Sequence, residues 1–260
     1  MVLETIASKD NPRIRVYAKL SSQKKARAAS GAFVLEGVKL LEEAVRSQVE
    51  VESVFITQEC LDSGRKQLSV LDSLSDRTYL VSGAAEQRLS QSQSPQGVYA
   101  VCKIPDNRPQ FTGTGKFLGL WDVQDPGNVG TMIRTADALG FDGVILSRSC
   151  CDLYNLKTIR AAMGSLFRMP LLQTDMAEFL ASHKQLHSFA SVVDQSAPKL
   201  TDVRFPDNSI ILIGNEGNGL SDEQAGCCEQ RLTIPMAGNA ESFNAAMAAT
   251  ILMWELMKNE

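Results

Sequence analysis

Short apolar runs alternate along the chain with stretches whose apolar positions recur every three or four residues. In the first hundred residues these patterns predict strands at 33–35, 51–57, 78–81 and 97–102 and helices at 37–48 and 84–90. After residue 115 they predict strands at 117–123, 143–146, 189–193 and 210–213 and helices at 129–140, 155–163 and 176–183. Apolar strands that alternate with helices are typical of a parallel sheet with helices on both faces, so the pattern predicts an α/β protein.

A polar segment separates these two parts of the chain. Residues 104–115 contain two prolines, two glycines and few apolar side chains, a composition typical of a linker. We therefore predict a first domain at residues 1–104, a linker at 105–115 and a second domain at 116–260. A length of 260 residues suits two modest domains of this kind.

The last predicted helix is apolar on nearly all of its faces. One stripe at helical spacing consists of Phe243, Ala246, Met247, Thr250, Ile251 and Trp254. The other side carries Ala245, Ala249, Leu252 and Leu256. Such a helix is expected to be buried, either in the domain core or in a subunit interface. Because Glu255 and Lys258 interrupt it and it is short, we do not expect it to enter a membrane.

The net charge of the whole chain and the distribution of charge along it point to different partners. The net charge of −4 argues by itself against a nucleic-acid partner. Residues 1–27, however, carry a net charge of +5, residues 28–110 carry −3, and residues 111–260 carry −6. The basic charge at the front of the chain predicts phosphate contacts, and a solvated helix face is the alternative. The candidate RNA-contacting residues are Arg15, Lys24, Lys25 and Arg27.

The N-terminus and the cysteines bear on location. The first residues lack the basic and apolar regions of a secretory signal, so we expect a cytoplasmic protein. The cysteines form no C-x-x-C pair, and we expect buried, reduced thiols. They are Cys60, Cys102, Cys150, Cys151, Cys227 and Cys228.

Two pairs of polar residues resemble sites but have simpler explanations. His183 and His187 are four residues apart, yet the segment lacks the glutamate of H-E-x-x-H, so we expect a surface helix and no metal. Asp122 and Asp125 could form a carboxylate pair, although turn chemistry explains Asp125 equally well.

Three segments could carry chemistry. In residues 121–136 a strand ends, Pro126 and Gly127 form a turn, and a helix begins near Asn128. Open α/β sheets bind ligands where strands end and helices begin, although Asn128 could instead be the N-cap of that helix.

The second segment, residues 210–221, runs from an apolar strand into a glycine-rich loop. Its G-x-x-G-x-G spacing matches neither the dinucleotide fingerprint nor the P-loop, which disfavours a nicotinamide enzyme or an ATPase. A plain strand-to-helix turn would account for the glycines but leaves Glu216 unexplained.

The third segment, residues 232–244, predicts a short strand, a polar loop and the start of the final helix. The alternative for Ser242 or Asn244 is a purely structural N-cap.

Taken in order, the three segments resemble the SpoU/TrmH family of RNA ribose 2′-O-methyltransferases in the SPOUT superfamily. The matching patterns are N-x-G-x-x-x-R-x-A at 128–136, [IL]-G-x-E-x-x-G-L within 212–220, and I-P-M-x-G-x-x-x-S-[LF]-N at 234–244. Phe243 stands where leucine is usual in the family. The front of the chain is similar to the family's accessory domain, an L30e-like RNA-binding fold, in its S-x-x-N, K-x-R and F-x-x-E-G patterns at 8–11, 25–27 and 33–37.

The resemblance implies a fold, a methyl donor and a set of site residues. It implies a parallel-sheet SPOUT domain with a deep trefoil knot, preceded by a smaller α/β L30e-like domain, and S-adenosylmethionine as donor with no metal. The implied donor-binding residues are Gly214, Ile234, Phe243, Met236 and Leu220. The implied catalytic residues are Asn128, Arg134, Glu216, Ser242 and Asn244. By the same resemblance, Arg134 is associated with the ribose, and Asn128 would orient both Arg134 and the ribose. Glu216 would hold an arginine at the dimer site or the RNA, and Ser242 and Asn244 would complete the pocket.

The implied reaction is an in-line displacement in which a ribose 2′-hydroxyl oxygen attacks the sulfonium methyl group. Arginine is a poor base, so we favour Arg134 as a stabiliser of oxyanion charge or a phosphate ligand. The family also implies a homodimer through the C-terminal domain, and the accessory domain favours ribosomal over transfer RNA as substrate. A transfer-RNA methyltransferase and a non-catalytic RNA-binding or ribosome-assembly protein of the same fold are the alternatives.

Overall fold

The computed structural model describes residues 3–64, 66–91, 94–111 and 114–258. The chain divides into two compact units, one formed by Met1–Asp106 with Tyr154–Phe167 and the other by Asn107–Leu153 with Arg168–Glu260. The boundary at residue 106 lies within the predicted linker, of which residues 112 and 113 lie outside the described residues. The inclusion of Tyr154–Phe167 in the first unit is not predicted by the sequence pattern.

Strands and helices alternate along the first part of the chain. In order they are β1 (Glu4–Ile6), α1 (Pro12–Ser22), α2 (Lys24–Ser30), β2 (Ala32–Glu36), α3 (Val38–Arg46), β3 (Val51–Thr57), α4 (Gln58–Asp62), a 3₁₀ helix (Lys66–Arg77), β4 (Thr78–Val81), α5 (Gly83–Leu89) and β5 (Val98–Lys103).

The alternation continues in the second part. Its elements are β6 (Gly115–Leu120), α6 (Pro126–Ala138), β7 (Gly143–Ser147), α7 (Leu156–Ala162), a 3₁₀ helix (Ser165–Phe167), β8 (Leu171–Thr174), α8 (Met176–Ser182), β9 (His187–Ser191), a 3₁₀ helix (Leu200–Asp202), β10 (Asn208–Ile213), α9 (Asp222–Gly226), β11 (Gln230–Leu232) and α10 (Ala245–Lys258).

The first unit contains a mixed sheet with the strand order β1-β4-β3-β5-β2, in which β5 runs antiparallel to both of its neighbours. Its core includes an aromatic cluster in which the ring of Tyr17 meets Phe55 and Tyr99 edge-on, with centroids 6.2 and 5.9 Å apart. The Tyr17 hydroxyl donates a hydrogen bond to the carbonyl of Leu35 at 3.3 Å. Burial of these large rings supplies much of the apolar contact of the unit.

The segment Tyr154–Phe167 completes this first unit. The ring of Phe33 lies between those of Tyr154 and Phe167, with centroids 5.1 and 5.7 Å away. Arg160 donates a hydrogen bond to Glu36 at 2.6 Å, and the Glu36 side chain is 3% exposed. A buried carboxylate requires such a partner, so this segment is part of the stability of the first unit.

The second unit contains a sheet with the order β11-β9-β10-β6-β7-β8, and every described strand pair in it is parallel. The predicted α/β class with a parallel C-terminal sheet is therefore confirmed. The inner strands β10 and β7 are buried along their whole length.

The final helix α10 has one buried and one exposed apolar face. The buried residues are Ala246, Ala249, Leu252, Met253 and Leu256. Met247 and Trp254, on the other face, are 50% and 52% exposed. The predicted burial therefore holds in this chain for one face, while the other presents large apolar side chains to solvent. None of the helices in the described ranges is long and apolar enough to cross a membrane.

The two histidines and the cysteines differ from expectation. His183 is the C-cap of α8 and stacks on Phe179 at 4.3 Å, whereas His187 lies in β9 and meets Glu229 at 2.9 Å, so they do not share a surface helix. Burial of the thiols holds for Cys60, Cys102 and Cys150, but Cys151 and Cys228 are half-buried and Cys227 is exposed.

Candidate functional site

The candidate site lies at the carboxyl edge of the parallel sheet. Because β6 and β10 are neighbouring parallel strands, the loops that follow them leave the sheet side by side. This edge is where open α/β sheets bind ligands. The loop after β6 and the loop after β10 carry the first and second sequence motifs, and the structure brings them together.

The carboxylate of Glu216 joins the two loops. Its Oε1 accepts hydrogen bonds from the backbone N–H of Asp125 at 2.8 Å and from Asn128 Nδ2 at 3.1 Å. Its Oε2 accepts one from the backbone N–H of Gln124 at 3.1 Å. Hydrogen bonds to an ionised acceptor are stronger than those between neutral groups, so Glu216 clamps the start of α6 to the glycine-rich loop.

These contacts determine the protonation of Glu216. Partial burial, the largest single influence, raises the pKa of its carboxyl group, but the hydrogen bonds from Gln124, Asp125 and Asn128 together outweigh it. The pKa of Glu216 therefore lies below its ordinary value. At neutral pH the group is a carboxylate, which accepts hydrogen bonds and cannot donate one.

Asn244 extends the clamp to the third motif. Its Nδ2 donates a hydrogen bond to Asn128 Oδ1 at 3.2 Å, and its Oδ1 accepts from the backbone N–H of Ala246 at 2.9 Å. Asn244 thus caps the start of α10, as the structural alternative expected, and contacts the site as well. The corresponding alternative for Asn128 is wrong, because Asp125 is the N-cap of α6 and accepts from the backbone N–H of Asn128 at 2.9 Å.

The remaining two predicted catalytic residues lie outside this hydrogen-bonded chain. Ser242 lines the adjoining cavity with Gly214 and Phe243. Arg134 is exposed on α6, six residues after Asn128, and lines a separate, largely apolar cavity of about 540 Å³ with Ile251 and Trp254 of α10. The structure therefore brings together Asn128, Glu216 and Asn244 but leaves Arg134 on the exposed side of the helix.

The predicted donor-binding residues line two adjoining cavities. Gly214, Leu220 and Phe243 belong to a cavity of about 420 Å³. Ile234 and Met236 belong to one of about 570 Å³. Both cavities share Val193, Asp194 and Glu241 in their linings, and each has a size usual for small-molecule sites.

The side chains that line the first cavity suit a cationic ligand that carries an aromatic ring. Val193 and Phe243 are among the exposed large apolar side chains of the described chain, and both border the first cavity. Asp194 and Glu241 place negative charge there, while Arg231 pairs with Asp222 at 2.9 Å. S-adenosylmethionine combines an adenine ring with a sulfonium cation, so these residues fit it.

Gly214 is required by the shape of the loop. A Cβ at this position would collide with the backbone of Gly219 and Leu220. The loop closes through two reciprocal backbone hydrogen bonds, from the N–H of Asn215 to Gly219 O at 3.1 Å and from the N–H of Gly219 to Asn215 O at 2.8 Å. Gly219 adopts φ +67, which favours glycine. The turn brings the backbone close to the cavity.

The predicted RNA-contacting residues are divided. Arg15, Lys24 and Lys25 are exposed on α1 and α2. The prediction that Arg27 contacts RNA is wrong, because Arg27 is 5% exposed and its Nη1 donates a hydrogen bond to the carbonyl of Leu20. Its guanidinium holds α2 against α1 and does not face solvent. Charge alone could not distinguish it from its neighbours.

Sequence reasoning missed Val193 and Asp194, which follow β9. The signal was present, since Val193 ends and Asp194 follows the strand predicted at 189–193, whose carboxyl end meets the same edge of the sheet. Within the described residues there is no group of three or more histidine, cysteine, aspartate or glutamate side chains placed to hold a metal ion.

Comparisons with known proteins agree with this geometry. The model of the SpoU rRNA Methylase family matches residues 116–254, and that of the MRM3-like substrate binding domain matches residues 11–100. The 23S rRNA (guanosine(2553)-2′-O)-methyltransferase RlmP of Bacillus subtilis is 31% identical over 256 residues, or 98% of this chain and 99% of that protein.

Two solved structures with bound AdoMet are similar over nearly the whole chain. The rRNA methyltransferase of Sinorhizobium meliloti has a TM-score of 0.82 at 28% identity and covers 98% of both chains. The SpoU methyltransferase AviRb of Streptomyces viridochromogenes has a TM-score of 0.81 at 28% identity, over 95% of this chain and 97% of that one.

The fold and the site together define an RNA methyltransferase of the SPOUT class that uses S-adenosylmethionine. The chain belongs to the SpoU rRNA methylase family. The predicted family is thereby confirmed, and the trefoil knot remains a prediction that follows from it.

Proposed function

We propose that this protein transfers a methyl group from S-adenosylmethionine to a ribose 2′-hydroxyl of ribosomal RNA. The observation that carries the proposal is the hydrogen-bonded chain from Asn244 through Asn128 to Glu216 beside a cavity suited to the donor. The three residues come from three separate motifs, and their amide and carboxylate groups satisfy one another at the edge of the cavity.

The donor, when bound, supplies an electrophilic methyl group. The chain's own residues then have to hold the ribose and accommodate the charge that develops on its oxygen. The Glu216 carboxylate fixes Asn128 through Nδ2, and Asn244 fixes it through Oδ1, so the amide is held in one orientation. Arg134 provides positive charge for the developing oxyanion, because a guanidinium stays protonated and is a poor base.

The position of Arg134 leads us to propose a homodimer. The apolar side chains Met247 and Trp254 are half-exposed, and the neighbouring cavity holds Arg134 among apolar groups. Exposed apolar patches of this kind mark protein interfaces, and a twofold contact through α10 and α6 would cover this one. In such a dimer Arg134 of one protomer would act with Glu216 of its partner.

The first unit is proposed to bind the RNA. Arg15, Lys24 and Lys25 project into solvent, where they can neutralise phosphates, and the family model for a substrate-binding domain covers them. The relatives from Bacillus subtilis and Sinorhizobium meliloti are named as ribosomal-RNA methyltransferases and are similar over 98% of this chain, which favours ribosomal over transfer RNA. We propose the cytoplasm as the place of action.

The test is transfer of tritium from S-adenosyl-[methyl-³H]methionine to separated ribosomal and transfer RNA, followed by mapping of alkali-resistant linkages. We expect label in ribosomal RNA at ribose, and loss of transfer in N128A, N244A and R134A. Label in transfer RNA alone would support the alternative substrate. RNA binding without donor binding or transfer would show a non-catalytic RNA-binding protein.

A further inference from the structure

Asp122, two residues after the end of β6, has an unusual backbone. Its φ of +61 lies in the left-handed region, which non-glycine residues rarely adopt. Aspartate tolerates this conformation better than most residues because its short side chain can form local hydrogen bonds. Strained residues of this kind cluster at functional sites, where surrounding contacts hold them in place.

The carboxylate of Asp122 is held from two other elements. Oδ1 accepts a hydrogen bond at 3.0 Å from Oγ of Ser147, the last residue of β7, and another from Oγ of Ser149, two residues further along the chain. Oδ2 accepts one from Gln224 Nε2 at 2.9 Å. The backbone N–H of Asp122 in turn donates to Ser147 Oγ at 2.9 Å.

Gln224 connects Asp122 to the donor side of the site. Its Oε1 accepts from the backbone N–H of Ser221, and its own N–H donates to Ser221 Oγ, which together form the capping box of α9. Its Nε2 is then directed to Asp122. The backbone carbonyl of Asp122 also accepts from Asn215 Nδ2 at 3.0 Å, in the loop that carries Glu216.

The turn that Asp122 holds leads directly to the clamp. Two residues later the backbone N–H of Gln124 donates to Glu216 Oε2, and the next N–H, of Asp125, donates to Glu216 Oε1. The direction of both N–H groups depends on how the chain leaves β6. We propose that Asp122 is a positioning residue of the methyl transfer, whose carboxylate fixes the left-handed turn that aims these two N–H groups at Glu216.

A direct catalytic role does not fit the geometry. The carboxylate accepts from Ser147, Ser149 and Gln224 and does not line either donor cavity. It acts through Glu216 and through the orientation of the backbone. This inference rests on the proposed function for its kinetic part, whereas its structural part can be measured without RNA.

Two substitutions separate the backbone from the carboxylate. Asp122→Gly keeps the left-handed turn accessible and removes every side-chain acceptor, and Asp122→Asn keeps the size and one acceptor oxygen. Asp142→Asn is the matched control, because Asp142 accepts a backbone hydrogen bond from Lys116 at 2.8 Å at the opposite end of the sheet.

Hydrogen exchange of the donor-free protein is the first measurement. We expect the amides of Gln124 and Asp125 to exchange about tenfold faster or more in Asp122→Gly, less so in Asp122→Asn, and unchanged in Asp142→Asn. Unchanged exchange in Asp122→Gly would overturn the proposal whether or not the protein methylates RNA. Absence of methyl transfer by the wild-type protein would overturn the proposed function and leave this result to decide the positioning role.

Kinetics provide the second measurement. At saturating donor and RNA we expect kcat to fall about 10- to 100-fold in Asp122→Gly, with partial recovery in Asp122→Asn and a dissociation constant for donor within about threefold of wild type. The double variant with Glu216→Gln should lose little beyond Glu216→Gln alone, because both changes disable one clamp. If the role of Asp122 is purely structural, Asp122→Gly will lower Tm and leave kcat per folded molecule unchanged, which would overturn the proposal. The proposal would also be overturned if the loss of kcat in the double variant equalled the product of the losses in the two single variants.

Discussion

Asn128 Nδ2 and Glu216 Oε1 lie 3.1 Å apart, although 88 positions separate the two residues along the chain. The same carboxylate oxygen accepts the backbone N–H of Asp125, and the other accepts that of Gln124. One carboxylate thus satisfies three donors around the start of α6. The amide that faces the site is held by an anion, so its orientation depends on the charge of Glu216.

Removal of the negative charge of Glu216 should reduce the rate of methyl transfer. In Glu216→Gln the side chain keeps its size but presents one N–H₂ group to donors that need acceptors. We expect kcat to fall about 10- to 100-fold, since hydrogen bonds to a charged group contribute roughly 1.5–3 kcal/mol. Single-turnover methyl transfer measures the effect, and titration with S-adenosylhomocysteine serves as the control for an intact donor cavity.

The same substitution gives a prediction about pH and stability. Because the pKa of Glu216 is lower in the folded protein than in the unfolded chain, its stabilising effect is fully present above the unfolded value. It is lost as the pH falls through the folded value. The difference in free energy of unfolding between wild type and Glu216→Gln should be constant above about pH 5 and shrink in more acidic buffer. A difference that grows on acidification would contradict the assignment.

Mixed dimers test where Arg134 acts. Arg134→Ala and Glu216→Gln homodimers should each be nearly inactive. If Arg134 serves the partner's site, random pairing of the two chains restores about a quarter of the wild-type sites, because half of the dimers are mixed and each has one intact site. If Arg134 serves its own site, co-expression restores none.

Trp254→Glu, which places a charge on the exposed face of α10, should yield monomers in analytical ultracentrifugation and prevent this rescue.

Reversal of charge on α2 should weaken RNA binding. In a Lys24→Glu, Lys25→Glu double variant we expect lower affinity and a smaller dependence on salt, by about 0.7 in the log–log slope for each phosphate that the variant no longer neutralises. Donor binding should not change. The matched control is a Lys184→Glu, Arg204→Glu double variant, which reverses two exposed charges in the second unit. Equal weakening in the control would point to net charge and not to this surface.

The pair of Arg160 with the buried carboxylate of Glu36 should matter more for stability than an exposed ion pair. Arg160→Ala leaves the Glu36 carboxylate buried without its guanidinium partner, so we expect a loss of about 2 kcal/mol in urea unfolding. Arg46→Ala breaks exposed pairs with Glu42 and Glu43 and should cost about 0.5 kcal/mol or less. A Glu36→Gln, Arg160→Met double variant should recover part of the loss. Equal costs for the two alanine variants would refute the role of burial.

Most of the fold and the central part of the candidate site can be predicted from the sequence. Apolar runs indicate the strands, and the order of the three motifs places Asn128, Glu216 and Asn244 at neighbouring strand ends, where the parallel sheet brings them together. The strands β1 and β8 are not predicted, because each has only one buried residue, Ile6 and Leu171, and therefore shows little apolar pattern.

The errors have a common physical origin in contacts between distant parts of the chain. Arginine is a residue type that commonly binds phosphate, so the sequence suggests this role for Arg27. Its burial depends on how α2 packs on α1, which the sequence does not show. The role of Asp122 has no local signal, because its partners Ser147 and Gln224 are far along the chain. Asp125 takes the cap position expected of Asn128, since the helix begins three residues earlier than the pattern of apolar positions indicates.

The place of Tyr154–Phe167 in the first unit affects the order in which the protein can be made. The ring of Phe33 and the carboxylate of Glu36 obtain their partners from residues translated long after Asp106. At about 5–20 residues per second, the ribosome needs several seconds to synthesise that intervening stretch. During this interval the nascent chain carries an apolar ring and an acidic side chain without their final neighbours. The part of the protein that is translated first is therefore finished only when translation of the second part is well advanced.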